Sequence, residues 1–283
     1  MKSLIHKIYK HVVPSLYGTG LGKIKIIKKA NLELRAIIKP ETVKFYGNTM
    51  FLDKYDMNQL SVLGQEGKDY YEISFIRDKI SEGDNVLDIG ANIGVYTVLF
   101  SNWVGSSGTV YSFEPSKNNC QIIQKTLKIN NMENVKLFEK AVTNFNGQSN
   151  LNVGVDCAGY YITNDIIPKS LKVQCVKIDD VFKNNEKINF MKLDAEGQEL
   201  NVLKGMHELL KYPQLKIMME YEPELHSEEN DPKETLELLE SYGYTFTDIG
   251  RNNVIKKITK KELLLRKDKK PELYKNIYCE KII

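Results

Sequence analysis

The chain has 283 residues, 42% of them hydrophobic and 27% charged, with a formal net charge of +3. No run approaches the roughly 20 apolar residues that cross a bilayer. Cys120, Cys157, Cys175 and Cys279 lie far apart without a CxxC pair, which argues against both a zinc site and a disulfide framework. Such isolated thiols suit a reducing compartment, and the lysines at 2, 7 and 10 argue against a cleaved signal peptide, so a cytoplasmic protein is expected. The small net charge conceals an asymmetry. Residues 1–31 hold seven lysines and no acid, residues 251–283 carry +7, and the segment between them is left with −11. An acidic middle with basic ends is not the pattern of a dedicated nucleic-acid binder, whose positive charge lines its working face.

In chain order, Leu4, Ile5, Ile8, Tyr9, Val12 and Val13 fall at helical spacing, with Lys2, Lys7, Lys10 and His11 elsewhere on the wheel. Pro14 and the glycines at 18, 20 and 22 end that helix. Three readings stand for it: packing on the domain, a homodimer contact, or rest as a basic amphipathic helix on an anionic membrane surface, which would make the protein peripheral at the membrane. Alternation through residues 24–53 (Ile24, Ile26, Leu32, Leu34, Val43, Phe45) suggests short strands of a ribbon, and residues 56–80 read as helical. The expected division is an extension over 1–60 and a main domain over 61–283.

From Asn85 onward strands and helices alternate. Strand 85–90 precedes a helix at about 94–104, and strand 109–114 a helix at 116–130. Strand 135–141 leads into a polar excursion over 143–172, and strands 173–178 and 188–194 bracket a short helix. A helix at 198–211, strand 215–221, a helix at 232–242 and a terminal strand pair complete the unit. This alternation predicts a parallel sheet covered on both faces, with ligands at the carboxyl ends of its strands.

The run from Val86 to Thr97 carries the most chemistry. A hydrophobic strand ends at Asp88, turns on Gly90 and Gly94, and enters a helix. Such a turn aims backbone N–H groups and a helix N-terminus at an anionic or polar ligand. The acid Asp88 and the amide Asn92 inside it call for a ligand with a cation or donors as well. S-adenosylmethionine has an ammonium, a carboxylate, a sulfonium and a ribose, and fits. A dinucleotide, and with it a nicotinamide-linked oxidoreductase, is disfavoured because no GxGxxG pattern is present. Twenty-six residues after Asp88, Glu114 ends the second strand ahead of Pro115, where an acid reads ribose hydroxyls. Its bland alternative is a cap for the helix that follows.

Asp88-Ile-Gly-Ala-Asn-Ile-Gly, Phe113-Glu114-Pro115, and Leu193-Asp-Ala-Glu-Gly-Gln-Glu199 with Leu203-Lys-Gly205 together resemble the FkbM family of S-adenosylmethionine-dependent methyltransferases. The match runs from about Tyr71-Glu72 to Glu222. The resemblance implies a class I methyltransferase fold: an α/β, Rossmann-like, doubly wound and mostly parallel seven-stranded sheet with its last strand antiparallel. It also implies O-methylation of a small-molecule hydroxyl, commonly on a sugar or natural-product scaffold. Carried over residue by residue, Asp88, Gly90, Asn92 and Gly94 would contact the methionine part of the cofactor and Glu114 the ribose. Lys140 and Ala141 would border the adenine, and Glu72 and Asp194 join the cofactor-binding set.

The acids after strand 188–194 can be read on their own. Asp194 and Glu196 emerge at its carboxyl end, whereas Glu199 in the next helix's first turn is equally a helix-start charge. Glu220 should lie beside Asp194, because sequential βα units usually neighbour each other. A hydroxyl acceptor benefits from a base within hydrogen-bond reach, and the candidates are Asp194, Glu196, Glu220 and His226. His207 reads as helix surface, and Asp179-Asp180 as capping residues. The same carboxylates could instead hold a divalent cation, although no tight ligand spacing supports one. A different class of function, a cofactor-binding sensor or assembly partner without turnover, is kept as the alternative.

Overall fold

A computed structural model describes residues 26–27, 33–34, 37, 39–54, 70–152, 161–163, 170–183, 186–221, 231–250, 254–265 and 276–282. The chain divides into two units, Met1–Gln65 and Glu66–Ile283. In the first unit, β1 (Thr42–Phe45) and β2 (Asn48–Phe51) form an antiparallel hairpin turned on Tyr46 and Gly47, both at positive φ. The expected ribbon is therefore confined to this hairpin among the described residues: Ile26, Ile27, Glu33, Leu34 and Ile37 have helical backbone, against the strand reading of 24–37. The basic helix over 2–13 and most of the expected helix at 56–80 lie outside the described residues.

In the second unit, α1 (Tyr70–Arg77) leads to β3 (Asn85–Ile89), α2 (Val95–Val104), β4 (Thr109–Phe113), α3 (Lys117–Ile129) and β5 (Val135–Phe138). Further on come β10 (Phe190–Leu193), α5 (Glu199–Lys204), α6 (His207–Leu210), β11 (Lys216–Glu220), α7 (Pro232–Ser241), β12 (Tyr244–Gly250), β13 (Val254–Ile258), α8 (Lys260–Leu264) and β14 (Asn276–Lys281). These make one sheet in the order β13-β12-β14-β11-β10-β3-β4-β5. The run from β5 to β11 is parallel, and β14 enters antiparallel between β11 and β12. The sheet has eight strands rather than the expected seven, because β12 folds back on β13 as an edge hairpin. Exposed Lys256 and Lys257 on that edge disfavour pairing with another chain.

Apart from Asp88 in β3 and Lys192 in β10, the central strands are largely apolar because both their faces are covered. On one face Leu87, Ile89, Met191, Leu193, Ile217 and Met219 pack with Leu203, Leu209, Leu236 and Leu239 of the later helices. On the other, Val86, Phe190, Met218 and Tyr278 pack with Ile76 and Phe100 of α1 and α2. Each such side chain contributes roughly 1.5–3 kcal/mol on burial.

Two departures from the sequence reading have plain causes. The excursion after β5 builds its own sheet, β6 (Ala141–Val142), β9 (Leu171–Val176), β7 (Gly147–Asn152) and β8 (Tyr161–Thr163) in that order, so the strand expected at 173–178 belongs there and not to the main sheet. The short α4 (Ile178–Val181) follows it. The helix expected over 198–211 breaks at Gly205, whose backbone lies so close to Thr143 that an added Cβ would stand 2.2 Å from the Thr143 carbonyl oxygen.

Candidate active site

β3 and β10 are neighbours with Asp88 opposite Lys192, so the turn after β3 and the loop after β10 emerge side by side. Gly90, Asn92 and Gly94 all sit at positive φ (77°, 53° and 87°), which lets the chain reverse within a few residues before α2. A Cβ on Gly90 would lie 1.7 Å from the Asp194 carbonyl oxygen, so the two loops touch backbone to backbone only because position 90 is glycine. Gly90 and Ala91 both donate their N–H to the Phe113 carbonyl, tying the turn to β4. α2 starts at Gly94 with no side-chain cap and no acid in its first turn. Its positive dipole end is therefore not offset by an acid of its own first turn.

Asp88 is fully buried. Its Oδ2 accepts from the Thr97 hydroxyl at 2.5 Å, and Thr97 in turn bonds Ser112 at 2.9 Å. Among the described residues its Oδ1 has no hydrogen-bond partner, and it is buried. Burial pushes the Asp88 carboxyl above its ordinary pKa and outweighs the opposing pull of the Lys192 ammonium and the Thr97 hydroxyl. Such an orphan acceptor under a glycine cradle fits a ligand bearing a cationic or donor group, as the methionine part of S-adenosylmethionine does.

Glu114 is also buried. Oε1 accepts from the Ser116 N–H at 2.8 Å and the Asn119 amide at 3.2 Å, and Oε2 from the Asn92 N–H at 2.8 Å. It therefore ties the head of α3 to the Gly90–Gly94 turn, and the cap of α3 itself is Ser116. Oε1 is filled by two donors, which leaves acceptor capacity on Oε2. Burial raises the Glu114 carboxyl to about 7, against the lowering effect of those donors. The stability consequence has a definite sign. Because the folded pKa lies above the unfolded one, the native state binds the extra proton, and stability declines as pH rises from about 4.5 to 7, then levels off. Relative to Glu114→Gln, urea unfolding of the wild type is expected to lose up to about 3 kcal/mol across that interval. A constant difference would remove the buried ionisation as its cause.

Asp194 is partly exposed, and its Oδ2 accepts from Lys192 Nζ at 2.7 Å. Burial alone would lower the Lys192 pKa, but Asp194 and Asp88 outweigh it and hold the ammonium up to about 12. Lys192 Nζ also stands 5.0 Å from the centre of the Tyr96 ring. The Tyr96 hydroxyl donates to Glu72 Oε1, and Asn276 donates to Glu72 Oε2 at 2.9 Å. Glu72 thus joins this cluster through Tyr96. Glu220 ends β11 one position past the Leu193–Met219 pair, level with Asp194 as expected, and acts on Lys192 through its charge. Glu196 is half-buried at φ 50° beside Gly197 at φ 83°. Glu199 turns back on its own loop and accepts from the Ala195 and Gly197 N–H groups at 3.0 and 3.3 Å, a loop-folding role.

Other expected positions separate from this cluster. Lys140 is exposed just beyond β5 and Ala141 is buried in β6, while the Phe138 carbonyl accepts from both the Glu114 and the Lys140 N–H. His207 is exposed and bonds the Tyr242 hydroxyl at 2.8 Å. Asp179 and Asp180 lie within α4, and Asp179 accepts from the Glu208 and Leu209 N–H groups to cap α6. His226 lies outside the described residues. Among the described residues no group of three or more His, Cys, Asp or Glu is arranged to hold a metal ion, and no helix is long and apolar enough to cross a membrane. Lys192, Tyr96, Thr97, Ser112, Asn119 and Asn276 were not expected at the site. The available signal was Lys192, a lone lysine in the otherwise apolar strand before Asp194.

A mostly parallel sheet with β14 inserted antiparallel, and this turn at its central strand end, fits the S-adenosylmethionine-dependent methyltransferase class expected from the sequence. The family model described as Methyltransferase FkbM domain matches residues 88–246, more than half of the chain, and the chain belongs to that family. No curated protein sequence matches the chain. Among solved structures it is similar to the methyltransferase FkbM from Methylobacillus flagellatus KT (14% identity over 80% of this chain and 53% of that one, TM-score 0.44). It is also similar to an S-adenosylmethionine-dependent O-methyltransferase from Thermotoga maritima (14%, 86% and 78%, TM-score 0.43). A third likeness is to an rRNA methylase from Streptococcus thermophilus (14%, 75% and 95%, TM-score 0.42).

Proposed function

We propose that this family member methylates a hydroxyl of a small molecule, a saccharide or glycolipid in particular, with Asp194 as the base. The observation that carries this reading is the Asp194 carboxylate. One oxygen is clamped by Lys192 and the group as a whole remains partly open to solvent, beside the Gly90 turn. A carboxylate held next to a methyl donor is what a hydroxyl acceptor needs, since its proton must leave as the oxygen attacks.

When bound, the cofactor supplies an electrophilic methyl group on a sulfonium. Asp88, Gly90, Asn92 and Gly94 would hold its methionine part, and Oε2 of Glu114 a ribose hydroxyl. Residues near Lys140 and Ala141 would border the adenine. The chain's own contribution is largely positional. Holding donor and acceptor in near-attack geometry is worth roughly 7–11 kcal/mol, and it depends on two loops locked together at Gly90 and Asp194. Glu196 and Glu220, at the same strand ends as Asp194, are further carboxylates for acceptor hydroxyls, and His226, outside the described residues, is a fourth candidate from the sequence.

The test is a screen of labelled methyl transfer against monosaccharides, glycolipids and polyols, with S-adenosylhomocysteine release followed in parallel. Product on a carbohydrate hydroxyl supports the reading, whereas transfer confined to a nitrogen, a carbon or an RNA overturns it. Binding of S-adenosylmethionine without release of S-adenosylhomocysteine on any acceptor would favour the sensor reading. Asp88→Ala and Glu114→Ala are each expected to abolish cofactor binding by calorimetry while unfolding stays cooperative. Retained affinity in either removes that residue from the cofactor site.

A further inference from the structure

We propose that Lys192 balances the charge beneath the cofactor turn, so that the pocket sets its preference between the cationic methyl donor and the neutral product. The proposal rests on the turn at residues 88–94 being the cofactor site. Four carboxylates gather around this region. Asp88 and Asp194 come from adjacent strand ends, Glu220 from the next strand, and Glu72 from α1 by way of Tyr96. Among the described residues of this unit, Lys192 is the one buried lysine, and it lies among them. Its Nζ is 2.7 Å from Asp194 Oδ2 and 5.0 Å from the centre of the Tyr96 ring, and Tyr96 is the second residue of the helix that the turn enters. The ammonium is therefore bonded to the residue whose backbone meets Gly90.

Packing does not require a charge at this position. The strand reads Phe190-Met191-Lys192-Leu193, all buried, and an apolar side chain would continue it. Replacing buried ions by well-packed apolar groups is often neutral or stabilising, so the lysine is better explained by what its charge does.

The chemistry supplies that role. On transfer the methyl–sulfur bond breaks with its electron pair staying on sulfur, and a methyl–oxygen bond forms. The acceptor's proton leaves to a carboxylate, and the sulfur passes from a positive charge to none. A pocket of carboxylates alone would stabilise the charged donor more than a transition state in which that charge is already fading. Binding of that kind raises the barrier instead of lowering it. It would also bind the product weakly relative to the donor. An ammonium fixed against Asp194 offsets part of the carboxylate field and narrows that gap.

The affinities of S-adenosylmethionine and S-adenosylhomocysteine, measured by calorimetry at pH 8 and low salt, test this without any acceptor. Lys192→Met is expected to raise the preference for S-adenosylmethionine over S-adenosylhomocysteine roughly three- to tenfold. Lys192→Arg, which keeps the charge, is expected to retain the wild-type preference. A purely structural lysine would weaken both ligands in parallel, and an unchanged ratio overturns the proposal. Should Lys192→Met fail to fold, Glu220→Gln reads the same field with the opposite sign. The preference should then fall by about threefold, and no change there overturns the proposal equally. If the wild type binds neither ligand, the turn is not the cofactor site and this inference falls with it. If Asp88→Ala loses both ligands while the Lys192 ratio stays fixed, only this inference fails.

Discussion

Gly90→Ala is expected to abolish measurable cofactor binding and to lower the melting temperature by roughly 10 °C. Two penalties combine at this position. The backbone sits at φ 77°, where an L side chain is strained by about 1 kcal/mol or more. The new Cβ would also stand 1.7 Å from the Asp194 carbonyl oxygen, a contact that neither backbone can yield without parting the two loops. Overpacking of this kind adds about 1–3 kcal/mol, and at 2–4 °C per kcal/mol for a unit of this size the shift follows. Gly243→Ala is the control, because Gly243 has φ 85° and nothing within 4 Å of an added Cβ. It should show the conformational penalty alone, near 1 kcal/mol, with cofactor affinity intact. If the two variants melt alike, the approach of Asp194 is not what requires glycine at position 90.

Asp194→Asn is expected to reduce methyl transfer by about 10²–10⁴-fold while cofactor affinity stays within about tenfold of wild type. That range is the usual contribution of a positioned base. The asparagine oxygen can still accept from Lys192, and Asp88 remains opposite to offset the ammonium, so the local arrangement should survive. Steady-state rates on the acceptor that the carbohydrate screen yields, compared with cofactor titration, separate the two effects. Equal rates in wild type and variant would move the base to Glu196, Glu220 or His226.

The βα alternation from Asn85 to the strand at 216–220 was legible because buried parallel strands are short apolar runs bounded by turn residues. The same regularity misled at the excursion after β5, where a strand pattern says nothing about which sheet it joins. Leu171–Val176 pairs with Gly147–Asn152 instead of with the main sheet. The helix break at Gly205 was likewise hidden, since it depends on Thr143, some 60 residues earlier in the chain. Glu114 was legible as an acid at a strand end. That the Asn92 N–H donates to it was not, because that bond joins the turns after β3 and β4 and exists only once those strands are paired.

The sequence alone carried the motifs of the family, the class of cofactor they imply and the glycine turn at the end of β3. Those depend on local requirements: glycines where φ is positive, acids where strands stop, and apolar runs where strands are buried. The folded chain alone shows that Gly90 is pressed against Asp194, that Lys192 bonds Asp194 beside the Tyr96 ring, and that Glu72 reaches the cluster through Tyr96. The order of parallel strands sets those contacts, and strand order is fixed by packing between segments about a hundred residues apart rather than by any spacing along the chain.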